Sequence, residues 1–344
     1  MSLPIPLDSG RVCVIAEISA NHNQDENRAI ELVNAAIDSG ADAVKIQTYT
    51  ADTLTLKSDR PEFRIAQESL WQGRTLHDLY QEAYTPWEWQ ERMMQASEAR
   101  GRPLFSSPFD PSSVEFLENL NTPGYKIASP EIIDKELIQL CAATGKPLIM
   151  STGMASLEEI EEAVTWAKEA GATDISLLKC TSAYPAKAAE MNLRSIDLIA
   201  SKFKLRVGLS DHTLGDTVAI AAVALGAQIV EKHFTLSRSD GGPDAAFSME
   251  PAEFKRMVER IRETEASLGE AAWISSPREI ENRTFRRSLY WVRELSPGDI
   301  IQREDIQSVR PANGLPPKYL NDVIGKRTTR AISINTPVEE GDFS

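Results

Sequence analysis

Cysteine is scarce in this chain. Cys13, Cys141 and Cys180 are the only three in 344 residues, far apart and each among apolar neighbours. That spacing excludes a disulfide scaffold and a cysteine-built zinc site, and the three read as packing residues. Long hydrophobic runs are missing as well. The longest, Val218 to Val230, is interrupted by Gly226 and Gln228 and is too short to span a bilayer. Positive charge is in deficit, 37 Lys and Arg against 51 Asp and Glu for a net charge of −14, which argues against a nucleic-acid partner or an anionic membrane surface. Met1 to Gly10 shows no signal-peptide pattern. Together these features lead us to expect a cytoplasmic protein. Acidic balance does not exclude an anionic substrate, because a few lysines focused in a cleft bind phosphate whatever the overall sign.

What is present is a repeated strand-helix pattern. Short β-branched runs occur at Val12–Ile18, Ala43–Thr48, Pro103–Phe109, Tyr125–Ser129, Pro147–Gly153, Ile175–Ser182, Arg206–Asp211 and Ile229–Thr235. Helical patterns separate them: Ile30, Val33 and Ile37 on one face before Gly40, a capping box from Ser156 to Glu159, a wholly buried Val218–Leu225 and an amphipathic Phe254–Leu268. Eight such units over residues 1–270 predict a (β/α)8 TIM barrel, with a doubly wound open sheet as the alternative. Residues 271–284 read as a linker, and 285–344, punctuated by turns such as Ser296-Pro297-Gly298-Asp299 and Asn313-Gly314, as a small β-rich domain. The connection Ala51–Pro86 is long and carries Trp71 and Tyr80, which marks it as a functional loop on the catalytic face.

A TIM barrel places its active site at the C-terminal strand ends. Those ends carry Glu17; Lys45 and Gln47; Ser106 and Ser107; Lys126 and Ser129; Ser151 and Thr152; Lys179, Thr181, Ser182 and Tyr184; Ser210, Asp211 and His212; and Glu231, Lys232 and His233. Any one serine there is ordinary, but lysines and hydroxyls around a whole mouth suit a phosphate-bearing substrate. Lys45 and Lys126 are the phosphate candidates, while strand alternation turns Lys179 and Lys232 outward. Of four histidines, His212 and His233 end the last two strands, a placement that favours a divalent-metal site over two hydrogen-bonded imidazoles. Glu17 is either a general base or the salt-bridge partner of Lys45.

The motifs AEISANH, VKIQT, FSSPFD, YKIAS, STGM, KCTSAYP, GLSDHT and EKHFT resemble the strand ends of the sialic acid synthase family, and RPANGL followed by Ile324-Gly325-Lys326 resembles its antifreeze-like (SAF) domain. Within it, the segment TLHDLYQEAYTPWEW is similar to the branch that makes pseudaminic acid. The resemblance implies condensation of phosphoenolpyruvate with the amino-sugar aldehyde 2,4-diacetamido-2,4,6-trideoxy-L-altrose. It implies Glu17 as catalytic base, with Lys45, Gln47, Ser107, Lys126, Ser129, Ser151, Ser182 and Ser210 around phosphoenolpyruvate. His212 and His233 would hold a divalent metal, Mn2+ first and Co2+ or Mg2+ as alternatives. Tyr184, Asp244 and Arg310 would lie near the sugar. Ser182 departs from the Asn common in sialic acid synthases, and the loop Asp240–Asp244 varies across the family. The resemblance further implies a homodimer in which the small domain caps the other subunit's barrel. Rival readings are an N-acetylneuraminate or legionaminate synthase, a metal-independent Schiff-base aldolase using Lys126 or Lys179, and a non-catalytic carbohydrate-binding protein.

Overall fold

The computed structural model describes residues 2–65 and 70–344, so part of the aromatic connection, residues 66–69, lies outside the described residues. The chain divides into two units, Met1–Gly269 and Glu270–Ser344.

In the first unit, β1 (Cys13–Glu17), β2 (Ala43–Thr48), β3 (Leu104–Pro108), β4 (Tyr125–Ile127), β5 (Leu148–Ser151), β6 (Ile175–Cys180), β7 (Arg206–Asp211) and β8 (Ile229–His233) close into a parallel barrel in sequence order. The doubly wound alternative is thereby set aside. Each strand lies within its predicted segment. Strands covered on both faces need apolar residues on both, and the pleat divides them into two sets. Val14, Ala16, Val44, Ile46, Leu104 and Val230 face outward into a core shared with the helices. Ile15, Ala43, Phe105, Ile149, Leu178 and Ile229 form a separate plug with Ile5 and Leu7. Two residues further along the same face, apolar gives way to polar: Glu17 follows Ile15, Lys45 follows Ala43, Ser107 follows Phe105, Ser151 follows Ile149, and Glu231 and then His233 follow Ile229. One alternation therefore builds both the barrel plug and the reactive mouth.

The helices follow their sequence signals with three corrections. Helix Glu26–Asp38 buries Ala29, Leu32, Val33 and Ala36, so Ile30 and Ile37 flank the buried stripe instead of defining it. Gly40 ends it at a φ of 94°, where a Cβ would also press on Val258 Cγ1 at 3.2 Å. Helix Thr217–Ala224 buries only one face, Val218, Ala219, Ala222 and Val223, and Leu225 is 44% exposed, because the helix sits in the outer layer. The aromatic connection is not a plain loop: it contains helix Leu76–Ala83, capped by the Thr75 side chain on the Asp78 N–H, with Leu79 buried.

The second unit is built on β9 (Ser288–Trp291) paired antiparallel with β10 (Ile306–Val309). Leu289, Trp291, Ile301, Ile306, Val323, Ile332 and Val338 make its own core. Trp291 satisfies its buried Nε1–H on Asp342 Oδ2 at 2.9 Å. Short 3-10 turns and isolated bridges replace much of the strand expected there.

Candidate active site

The polar strand ends converge in one narrow cleft. Glu17, Lys45, Gln47, Ser107, Lys126, Ser129, Ser151, Tyr184, Ser210, His212 and His233 all line it, as do Cys180 and Glu231. Lys45 is the register partner of Glu17 on the neighbouring strand and forms an ion pair with it. Its Nζ also donates to Ser107 Oγ at 3.2 Å and lies 3.6 Å from Glu231 Oε1. Lys126 donates to both oxygens of Glu231 at 2.8 Å, and Ser210 Oγ is 3.4 Å from the same carboxylate. The result is a linked set of two ammonium and two carboxylate groups, all four side chains buried. The salt-bridge and general-base readings of Glu17 are thus compatible in geometry.

Burial raises the Glu17 carboxyl, with Lys45 opposing it, whereas Glu231, between two lysines that outweigh its burial, is held down to about 2. Burial lowers Lys126, but Glu231 restrains the fall. For Lys45 the two carboxylates outweigh burial and raise it.

The imidazoles of His212 and His233 lie with ring centroids 5.3 Å apart. His212 Nδ1 is 3.0 Å from the Thr181 carbonyl, which assigns the proton to Nδ1 and leaves the Nε2 lone pair available. His233 Nδ1 is buried without a hydrogen-bond partner, and burial with the nearby cations pulls its ring well below the ordinary imidazole range. The His233 ring thus suits a ligand to a divalent cation, which binds neutral imidazole, whereas for His212 the Cys180 sulfur, the Thr181 carbonyl and Glu231 outweigh burial and raise it, so cation binding there would displace a proton. Among the described residues no third His, Cys, Asp or Glu completes a metal cluster, so the remaining positions would fall to oxygens from water or substrate. Ser151 Oγ is likewise buried and unpartnered.

A larger cavity of about 390 Å3 shares Gln47, Tyr184, Pro130 and His233 with the cleft. Ser19, Gln47 and Asp244 supply its polar wall; Tyr49, Ile65, Leu76, Leu79, Tyr80 and Ala83 supply an apolar one. Trp71 joins them, its Nε1–H donating to the Pro243 carbonyl at 2.9 Å and its ring 5.9 Å from Tyr184. Asp244 is fixed by the Ser19 hydroxyl. Ser182 lies beside the cleft, 3.9 Å from Cys180 Sγ. Gly153 permits that crowding, since a Cβ there would fall 2.3 Å from Ser182 Oγ and 2.7 Å from Ser129 Oγ. Arg310 is exposed on the second unit. Lys179 bonds the Cys180 carbonyl at 2.8 Å, and Lys232 pairs with Asp211, so both stay out of the cleft.

Three functional candidates were given no role at the site by the sequence reading. Glu231 carries the signal of an acid two residues before His233 on the same face. Cys180 is a cleft residue as well as a packed one: burial raises its thiol, but His212, 3.9 Å from the sulfur, and Lys126 bring it down to about 7. Glu131, beside the shared wall residue Pro130, has a buried Oε2 without a partner and is pushed up to about 7 by burial.

Comparison with known proteins places the whole chain in a family. The chain is 42% identical to the pseudaminic acid synthase of Campylobacter jejuni over 97% of each sequence. It is 38% identical to the N,N'-diacetyllegionaminic acid synthase of Legionella pneumophila over 96% of this chain and 94% of that one. The structure of N-acetylneuraminic acid synthetase from Leptospira borgpetersenii superposes with a TM-score of 0.70 at 30% identity, over 79% of this chain and 90% of that chain. Residues 286–344 match the SAF domain and residues 32–272 match the NeuB family, so the chain belongs to the NeuB family of nonulosonic acid synthases.

Proposed function

We propose that this protein condenses phosphoenolpyruvate with 2,4-diacetamido-2,4,6-trideoxy-L-altrose to give pseudaminic acid and phosphate. The observation that carries the reading is the adjacency of two unlike compartments. One is a cleft with two buried lysines and two imidazoles; the other is a 390 Å3 cavity with a polar and an apolar wall. The first suits a small, highly charged phosphate ester. The second suits a sugar bearing a methyl group and acetamido methyls beside its hydroxyls.

Lys45 and Lys126, with Ser107, Ser129, Ser151, Ser182 and Ser210, hold the phosphate and carboxylate of phosphoenolpyruvate. A divalent cation on His212 and His233, Mn2+ by preference, supplies Lewis-acid polarisation of the aldehyde oxygen when bound. Gln47, Tyr184 and Asp244 orient the open-chain sugar so that its aldehyde carbon meets carbon 3 of phosphoenolpyruvate. Carbon–carbon bond formation leaves carbon 2 electron-poor. Glu17 takes a proton from the water that adds there and returns it to the alkoxide left by the aldehyde, and the tetrahedral product breaks its carbon–oxygen bond to phosphate as the new carbon 2 hydroxyl gives up its proton to the departing phosphate and becomes the ketone. The lysines stabilise the charge that gathers on the departing phosphate. The family resemblance supports a cytoplasmic homodimer in which the small domain of one subunit brings Arg310 to the sugar end of the other's barrel.

A panel of amino-sugar acceptors with Mn2+-reconstituted enzyme, scored by phosphate release and product mass, tests the reading. The 2,4-diacetamido-2,4,6-trideoxy-L-altrose acceptor should give the highest kcat/KM. Preference for N-acetylmannosamine would overturn the acceptor assignment, and no phosphate release with any acceptor would overturn the synthase reading.

A further inference from the structure

On the far face of the last two strands the chain buries a second pair of charges. Alternation sends Ser210, His212, Glu231 and His233 into the mouth, and Asp211 and Lys232 the other way. These two are register partners across β7 and β8, with side chains 0% and 1% exposed. Lys232 Nζ donates to Asp211 Oδ2 at 2.7 Å and also to the Thr213 carbonyl. Asp211 Oδ1 accepts the Thr213 backbone N–H at 2.9 Å and its hydroxyl at 2.8 Å. The two residues bracketing His212 are thus tied to the residue that precedes His233.

Stability alone is a poor reason for such a pair. Desolvating two ions costs about as much as their attraction returns, and replacement by neutral groups of similar volume is often harmless. What the tie does fix is backbone: the path through 211–213 and its register against Lys232. Each residue that follows a charged partner is one of the two imidazoles. We infer that Lys232 and Asp211 are positioning residues that clamp His212 and His233 at the separation a shared divalent cation needs. The inference rests on the reading of that histidine pair as the cation site. Groups that support metal ligands without touching the metal typically change metal affinity by about 10- to 100-fold when removed.

The test is the double variant Asp211→Asn with Lys232→Met in the full chain. Asn keeps an acceptor for Thr213 while the cross-strand ion pair is lost. Mn2+ binding by titration calorimetry and by the free-Mn2+ electron paramagnetic resonance signal should weaken about tenfold or more. Phosphoenolpyruvate affinity, which depends on Lys45 and Lys126, should stay within about twofold, and Lys232→Arg should restore part of the Mn2+ affinity. If the double variant does not fold, Asp211→Asn with Lys232→Gln, which likewise strands no charge and keeps a polar side chain at 232, is read in the same way. Wild-type Mn2+ affinity in the variant, with binding abolished in His212→Ala/His233→Ala, would overturn the clamp and leave the metal site standing. Equal Mn2+ binding by wild type and His212→Ala/His233→Ala would overturn the metal site and the clamp with it.

Discussion

Replacing Lys45 with Met separates structural from catalytic roles in the charged cleft. Lys45 compensates Glu17 directly and lies 3.6 Å from Glu231, and all three side chains are almost inaccessible to solvent. Met conserves the stem and removes the charge, leaving Glu17 buried without its cation. Breaking one side of a buried pair costs about 3–5 kcal/mol. For a large unit each kcal/mol moves the Tm by roughly 2–4 °C, so Lys45→Met should melt on the order of 10 °C below wild type. Adding Glu17→Gln removes the stranded charge, and the double variant should recover most of that loss. Affinity for phosphoenolpyruvate should recover in neither, because the phosphate has lost an ammonium partner either way. Scanning calorimetry and titration with phosphoenolpyruvate read the two effects separately. A single variant that melts like wild type, or a double variant that binds phosphoenolpyruvate like wild type, would refute this assignment of Lys45.

Burial raises Glu131 from 4.5 to about 7, so its contribution to stability is full below pH 4.5 and is lost as the pH rises through 7. Glu131→Gln should therefore gain on the order of 3 kcal/mol over wild type at pH 8 and almost nothing at pH 4.5, read by urea denaturation; equal gains at both would contradict it. Burial lowers His22 from 6.5 to about 4, so its contribution is full above pH 6.5 and lost on acidification toward 4. His22→Gln should flatten the fall in Tm between pH 6.5 and 4.5, and an unchanged slope would exclude His22 as its source. EDTA should abolish condensation and Mn2+ restore it in wild type but not in His233→Ala, measured as phosphate release; full activity in EDTA would favour a Schiff-base route instead.

Much of the barrel is legible because both faces of a strand obey a period of two. The same alternation that puts Ile15 in the plug puts Glu17 in the mouth, and it turns Lys179 and Lys232 away from the cleft. Partnership is less legible than direction. Nothing local to Glu231 announces that it accepts both bonds from Lys126, 105 residues away, and nothing near Ser19 announces Asp244, 225 residues on. Cys180 reads as a small apolar residue until His212 is seen beside its sulfur. Helix Leu76–Ala83 was obscured by the aromatic residues around it, though Thr75 is an ordinary N-cap. In the second unit, few residues pair in regular ladders, so turn chemistry marks its domain character better than its strands.

The central claim is condensation by addition of water at carbon 2 and cleavage of the carbon–oxygen bond of phosphoenolpyruvate. Turnover with 2,4-diacetamido-2,4,6-trideoxy-L-altrose in oxygen-18 water tests it most directly, with both products analysed by mass spectrometry. The account predicts label in the nonulosonic acid and none in the released phosphate. Label in the phosphate would contradict it.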